Sequence, residues 1–198
     1  MIRLYDSKLS GNCHKVRLML ALLGLDYETK AVDMRAGEQR SPEFLKLNPL
    51  GQVPVLADDG VTLRDSQAIL VYLALKYGED HWFPRDPAGT GEVVQWLSYS
   101  ANEVLHGLAV SRAIRVFKRD LDAELANARG RAVLEVLDAH LSRHDWLATG
   151  RVTIADVACY PYVAVAPEGG FDLGPYSAIN AWLGRIAKLP GFVAMPSA

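Results

Sequence analysis

Apolar and polar positions change period several times along the chain, and each change predicts an element. Ile2 and Leu4 alternate with polar neighbours, the period-two pattern of a half-buried strand. After a polar turn, residues 6–12, the spacing becomes helical: Val16, Met19, Leu20 and Leu23 fall at i, i+3, i+4 and i+7, and Gly24 follows as a C-cap. Residues 27–32, rich in β-branched and aromatic side chains, predict a second strand. They complete a βαβ unit, whose crossover is right-handed as a rule. A polar loop, 33–41, comes next. Residues 53–56 and 61–63 then flank Asp58-Asp59-Gly60, a hairpin signal. Asp65 or Ser66 caps a helix in which Ile69, Tyr72 and Leu73 share a face, ending near Gly78.

Strand patterns stop there. Residues 79–88 hold Pro84 and Pro87 among Glu79, Asp80 and Asp86, the composition of a linker. Beyond it the spacing is helical in four stretches: about 89–118, 121–144, one beginning at Thr153, and one in which Ile179, Trp182, Leu183 and Ile186 line one face. Thr153 followed three residues later by Asp156 is a capping box in its Asp variant, with Val152 and Val157 placed to form a staple. The expected architecture is therefore an α/β unit, βαβ–ββα, over residues 1–78, a linker over 79–88, and an all-helical unit over 89–198.

Composition narrows the function classes. The 198 residues are half hydrophobic and 22% charged, with 21 basic against 23 acidic side chains and a net charge of −2, which excludes a disordered chain. Neither the part up to Gly78 nor the rest is a polycation, so no phosphate-neutralising excess exists for nucleic acid. No apolar run reaches the roughly 18 to 20 residues of a membrane span. The opening residues lack the pattern of a secretory signal. Two cysteines, Cys13 and Cys159, are too few for a disulfide scaffold or a thiolate-rich metal site. The expectation is a cytoplasmic protein without nucleic-acid or membrane partners and without a metal.

The chemistry concentrates where the first strand meets the first helix. Ser10-Gly11-Asn12-Cys13-His14-Lys15 opens that helix, where unpaired N–H groups and the helix dipole favour an anion. A thioredoxin-like βαβ–ββα half carries its redox Cys-x-x-Cys at this point, and here the four positions read Ser10-Gly11-Asn12-Cys13. A hydroxyl at the first position forms no mixed disulfide, yet it can donate to a thiolate that a ligand brings. Two readings of Ser10 stand at this stage: a helix N-cap, or such a donor.

Further residues bear on a ligand. In Asn48-Pro49-Leu50-Gly51-Gln52-Val53-Pro54-Val55-Leu56, Pro54 opens a strand and a cis bond fits there. That arrangement turns the main-chain N–H and C=O of Val53 outward for antiparallel pairing with a peptide. Asp65-Ser66-Gln67-Ala68-Ile69 offers a hydroxyl and free amides to a carboxylate, and Asp65 lies beside it for an ammonium. A carboxylate and ammonium at one end, a peptide in the middle and a thiol near Ser10 describe γ-glutamyl-cysteinyl-glycine.

The ordered set of the serine-containing first turn, Asn-Pro-Leu-Gly-Gln-Val-Pro, Asp-Ser-x-Ala-Ile, the linker and Thr-Ile-Ala-Asp resembles the cytosolic glutathione S-transferases over nearly the whole chain. The serine-type turn is similar to that of the theta-, zeta- and nu-like classes and of bacterial members. The resemblance implies a thioredoxin-like glutathione-binding half, an all-helical half that shapes the acceptor pocket, and a homodimer. It implies that Ser10 is the catalytic hydroxyl, and that Asn12 matches the asparagine that sits beside the glutathione sulfur in relatives with a Thr-Pro-Asn turn. Gln39 falls where related enzymes contact the glycyl carboxylate, Gln52 precedes the Val53–Pro54 contact, and Asp65 with Ser66 matches the pair that holds the γ-glutamyl end. Many members have Glu at the first of these two positions, and the shorter Asp needs a water to span the gap.

The mechanism so implied is activation of the thiol by Ser10 and Asn12, then attack on an electrophilic carbon or a peroxide, with glutathione as co-substrate. Tyr99, Asn102, Glu103, His106 and Arg112 lie in the helix expected to line the acceptor pocket, although helical phase does not say which of them face it. Asn102 or Glu103 is alternatively placed to touch glutathione across a dimer interface. Cys13 and Cys159 read as packing residues, with a redox role for Cys13 as the alternative. Tyr5 precedes the turn and reads as a packing residue, and His14 and His106 have no metal-ligand spacing. Two other functions fit the same residues: a glutathione-dependent disulfide or peroxide reductase, and a non-catalytic regulator that keeps the fold. The purpose of Glu168-Gly169-Gly170-Phe171 is open at this stage.

Overall fold

The computed structural model describes the whole chain, Met1 to Ala198. Strand β1 (Ile2–Asp6), helix α1 (Gly11–Leu22) and strand β2 (Tyr27–Ala31) form the expected βαβ unit, with β1 and β2 parallel. The hairpin β3 (Val55–Asp58) and β4 (Val61–Arg64) adds antiparallel to β1, giving the sheet order β2-β1-β3-β4. Asp59 and Gly60 both have positive φ, 46° and 82°, as a two-residue hairpin turn of primed type requires. Helix α3 (Ser66–Tyr77) completes this thioredoxin-like half. It is tied back to the hairpin by Asp58, whose carboxylate accepts from Tyr77 Oη at 2.6 Å, Lys76 Nζ at 2.8 Å and Tyr72 Oη at 2.9 Å. Burial works against that charge, but the ammonium and the two phenols outweigh it and hold Asp58 below the usual carboxylate range.

The structure departs from the sequence expectation at two places in this half. The third strand begins at Val55, not at residue 53, because Pro54 has no N–H to give to a ladder. A helix unforeseen in the pattern, α2 (Pro42–Leu47), follows the polar loop: Ser41 caps it by accepting from Phe44 N at 3.2 Å, and Pro42 occupies its first position.

The rest of the chain is helical. A continuous rod comprises α4 (Pro87–Tyr99), a π-helical stretch (Ser100–Ala109) and α5 (Val110–Phe117). The sequence predicts a regular helix there, and the structure replaces its middle with i→i+5 bonding. Antiparallel to it runs α6 (Ala123–Leu141); Gly107 and Gly130 let the two backbones touch, since a Cβ on Gly107 would lie 2.8 Å from Gly130 N. Helix α7 (Ile154–Ala164) starts with the predicted capping box, and α8 (Ser177–Ile186) takes its N-terminal acceptor from α6, where Asp138 Oδ1 receives Ala178 N and Ile179 N, each at 3.0 Å. The capping-box Asp156 also accepts from Leu147 N at 3.1 Å and Trp182 Nε1 at 2.9 Å, joining α7, α8 and the preceding loop. Its burial pushes the carboxyl up to about 6 in spite of these donors.

One apolar cluster of 41 buried residues, from Ile2 and Leu4 to Trp182 and Ile186, runs through both halves. Each fully buried Leu or Val in it contributes about 1.5–3 kcal/mol relative to exposure. No helix is long and apolar enough to cross a membrane.

Candidate active site

Ser10 ends the loop after β1 in extended conformation, φ −76° and ψ 120°, and its Oγ accepts the Cys13 N–H at 3.2 Å. The cap reading is therefore realised, and it leaves the other one intact. An oxygen that accepts from the backbone still has its own proton to give, and the bond it receives polarises it as a donor. Asn12 is half-buried in the first turn of α1, and its side chain makes no hydrogen bond within the chain. The helix has no acidic residue in its first turn to offset the positive end of its dipole.

The loop leading to Ser10 is held from several sides. Arg17 pairs with Asp6 and donates Nη2 to Lys8 O at 2.9 Å, and Ser10 N donates to Ser7 O at 2.9 Å. Against the start of α1 lies the Tyr162 ring of α7, so close that a Cβ on Gly11 would stand 2.6 Å from it. That glycine is a packing requirement which spacing in the sequence did not disclose. The Tyr162 hydroxyl faces the amides of Asn12 and Gly11, and burial pushes it up to about 12.

Across the sheet, the Val53–Pro54 bond is cis, and the N–H and C=O of Val53 have no hydrogen-bond partner in the chain. Gln52 is exposed, and its carbonyl is fixed by Asn48 Nδ2 at 2.7 Å. Gln39 lies against the same loop: a Cβ on Gly51 would come within 3.0 Å of its carbonyl, and its buried Oε1 is unpartnered. At the start of α3, Asp65 sits at φ 77°, a strained conformation for a residue with a side chain, and Oδ1 caps the helix through Gln67 N and Ala68 N at 2.9 and 3.0 Å. Its second carboxylate oxygen makes no bond in the chain. Ser66 is buried at 5% exposure, and the Gln67 Oε1 beside it is buried without a partner.

From the helical half, only one of the five predicted pocket residues reaches the first turn. Arg112 of α5, 2% exposed, donates Nη1 to Leu9 O at 2.7 Å and Nε to Glu168 Oε2 at 2.6 Å. Tyr99 instead turns to α6, with its hydroxyl on Val133 O at 3.3 Å, and burial raises its pKa. Asn102, Glu103 and His106 are exposed on the π-helical stretch, and the first two bond each other at 3.2 Å.

Lys15 was missed as a special residue. It is 1% exposed, donates to Ser100 Oγ at 3.1 Å beneath the start of the π-helical stretch, and is lowered by burial to about 8. Cys13 and Cys159 are fully buried thiols that burial pushes up to about 12, so neither is a thiolate at neutral pH. Tyr5 packs edge-on against Phe44, with ring centres 6.2 Å apart.

Comparison with known proteins meets this geometry at both halves. Residues 9–76 match the family model "Glutathione S-transferase, N-terminal domain", and residues 99–190 match "Glutathione S-transferase, C-terminal domain". The chain belongs to the glutathione S-transferase family. It is 31% identical to Glutathione S-transferase 2 of Anopheles gambiae over 96% of this chain and 93% of that one. Among solved structures it is similar to a glutathione S-transferase from Pseudomonas fluorescens, with TM-score 0.92, 38% identity and 99% of each chain covered. It is also similar to a glutathione transferase homolog from Lodderomyces elongisporus, solved with two GSH per subunit, with TM-score 0.86, 26% identity and 96% and 94% of the two chains covered. A glutathione S-transferase must lower the pKa of a thiol that its own chain does not contain. At the start of α1 the Ser10 hydroxyl keeps its proton available while its oxygen caps the helix.

Proposed function

We propose that this glutathione S-transferase lays glutathione along the edge formed by Val53, the start of α3 and the Ser10 turn, and attacks an electrophilic small molecule or a peroxide with its sulfur. The carrying observation is the pair of unpartnered main-chain groups of Val53 between two helix starts. One of these, at Asp65 and Ser66, receives the γ-glutamyl carboxylate and ammonium. The other, at Ser10, receives the thiol. Gln39 and Gln52 flank the glycyl end. Asp65 retains a free carboxylate oxygen for the ammonium while its partner oxygen caps α3.

Ser10, Asn12 and the α1 dipole favour the thiolate. Two units of pKa lowering correspond to about 2.7 kcal/mol, within reach of one charge-assisted hydrogen bond of about 1.5–3 kcal/mol with a helix-end field added. On an electrophilic carbon the thiolate forms a carbon–sulfur bond as the acceptor's leaving group departs; on a peroxide it breaks the O–O bond, releasing an alcohol and leaving a glutathione sulfenic acid that a second glutathione converts to disulfide and water. Burial and the high pKa of Cys13 speak against a mixed-disulfide route through this chain. Asn102, Glu103 and His106, exposed on the rod, are the candidates for the acceptor side or for contact across a dimer. The low thiol content and the choice of co-substrate fit a cytoplasmic location.

Retention on immobilised glutathione with turnover of an activated aryl halide is the expected result. A protein that ignores millimolar glutathione refutes the proposal, and sedimentation at micromolar concentration tests the dimer.

A further inference from the structure

The peptide plane that precedes Ser10 is clamped at both edges. Its N–H, on Ser10, goes to Ser7 O at 2.9 Å, and its C=O, on Leu9, receives Arg112 Nη1 at 2.7 Å. A peptide plane held by both its polar groups is fixed in tilt, so the Ser10 N–Cα axis has one direction and only rotation about φ and χ1 is left to aim the hydroxyl. On the other side the Cys13 N–H holds Oγ itself. The second of these anchors comes from 103 residues away in sequence, out of the helical half.

Arg112 is in turn oriented by its own surroundings. Nε meets Glu168 Oε2 at 2.6 Å, the guanidinium carbon lies 5.4 Å from the centre of the Phe117 ring, and 98% of the residue is shielded from water. Glu168 sits in a 3-10 turn (Ala166–Gly169) that approaches α5 closely, a Cβ on Gly169 lying only 3.2 Å from Arg112 N. The next residue, Gly170, has φ 88°, a conformation that favours glycine, and lies under the Arg115 guanidinium. The Glu-Gly-Gly segment, unexplained by its sequence, thus brings a carboxylate to Arg112.

We infer that Arg112, oriented by Glu168, is a positioning residue for the reaction: it fixes the Leu9–Ser10 peptide so that the Ser10 hydroxyl points at the glutathione sulfur. The inference rests on the proposed role of Ser10. A rigid fork that serves a carbonyl and a carboxylate at once is a task for arginine and not for lysine, whose ammonium lacks that planar geometry.

The test is the pH titration of the bound glutathione thiol, followed with kcat and KM in wild type, Arg112→Gln, Arg112→Lys, Glu168→Gln and the double variant Arg112→Gln/Glu168→Gln. Arg112→Gln is expected to raise the bound thiol's pKa by about one unit and to lower kcat near pH 6.5 about tenfold. The deficit closes at high pH, and KM for glutathione stays within about twofold, because the residues that hold the rest of the tripeptide are untouched. The double variant, with no net charge change, is expected to keep the raised pKa. Arg112→Lys and Glu168→Gln give smaller shifts of the same sign, and they carry the test if Arg112→Gln does not fold. A thiol titration unmoved in all variants, with only the melting temperature lowered, overturns the inference and leaves Arg112 a strut. A double variant that returns to the wild-type pKa also overturns it, because the effect is then the field of an unpaired Glu168. Failure of the underlying proposal is visible earlier, as an unperturbed thiol on the wild-type protein.

Discussion

Replacing Ser10 separates the cap seen in the structure from the thiolate donor of the proposed function. Ser10→Ala removes the acceptor of the Cys13 N–H at 3.2 Å, a helix cap worth about 1 kcal/mol. For a chain of 198 residues that loss lowers the melting temperature by about 2–4 °C. The same change removes a donor to the thiolate, worth about 1.5–3 kcal/mol, so the bound thiol's pKa rises by about one to two units. Near pH 6.5 turnover then falls about 10- to 100-fold, while glutathione affinity changes little. Ser10→Gly costs only a few tenths of a kcal/mol as a cap, yet it lacks the hydroxyl, so it should melt nearly like wild type and turn over like Ser10→Ala. Ser10→Thr keeps both functions. Thiolate absorbance against pH, measured with thermal melts on the same samples, decides. A Ser10→Ala protein that melts lower but titrates its bound thiol as wild type does would refute the reasoning: Ser10 would be a cap alone, with the thiolate held by Asn12 and the helix amides.

Other expectations test packing and protonation. Gly11→Ala drives a Cβ to 2.6 Å from the buried Tyr162 ring and should cost about 1–3 kcal/mol in denaturant unfolding, recovered when Tyr162→Leu is added. Asp156→Ala orphans the buried N–H groups of Leu147, Thr153 and Trp182 and should lose about 3–5 kcal/mol, with Asp156→Asn losing less because one acceptor oxygen remains; equal losses in the two variants would contradict this. His14, 1% exposed with both ring nitrogens unpartnered, is lowered to about 4 by burial and then by the nearby Arg17 charge. Between pH 6.5 and 4 the unfolded chain binds a proton there that the folded chain refuses, so stability falls as pH drops through that window, by up to about 3 kcal/mol. His14→Leu should flatten that part of the stability profile, and an unchanged acid limb would count against it.

What was legible in the sequence was local. The Asp59-Gly60 turn, the Thr153–Asp156 capping box and the Asp65 cap each depend on residues within a few positions of one another, and each forms as read. The family resemblance drew on the same local motifs and was met by both family models. Helix α2 carried a signal, Ser41 before Pro42, that a reading centred on apolar periodicity passes over. The burial of Lys15 and the partners of Arg112, which the sequence offered only as an acceptor-pocket candidate, were not legible, because each is decided by a distant residue: Ser100 lies 85 positions from Lys15, and Leu9 lies 103 from Arg112. Helix α1 is covered on more than one face, so the apolar stripe through Val16 and Met19 understates what it buries. The π-helical stretch left no period that a heptad-like count could detect.

The shared core has a consequence for how the molecule comes apart. Leu4 and Leu20 of the sheet half and Val157 and Trp182 of the helical half belong to one cluster, so severing the chain within residues 79–88 exposes apolar surface on both fragments at once. The linker is a crossing point of the chain and not a hinge between independent bodies. Trp182, completely buried and far along the chain from the proposed glutathione edge, should therefore report by its fluorescence, as the single tryptophan left when the other three are replaced by Phe, the same unfolding transition as the sheet, at one midpoint. Occupation of the edge by glutathione should move that midpoint as a whole.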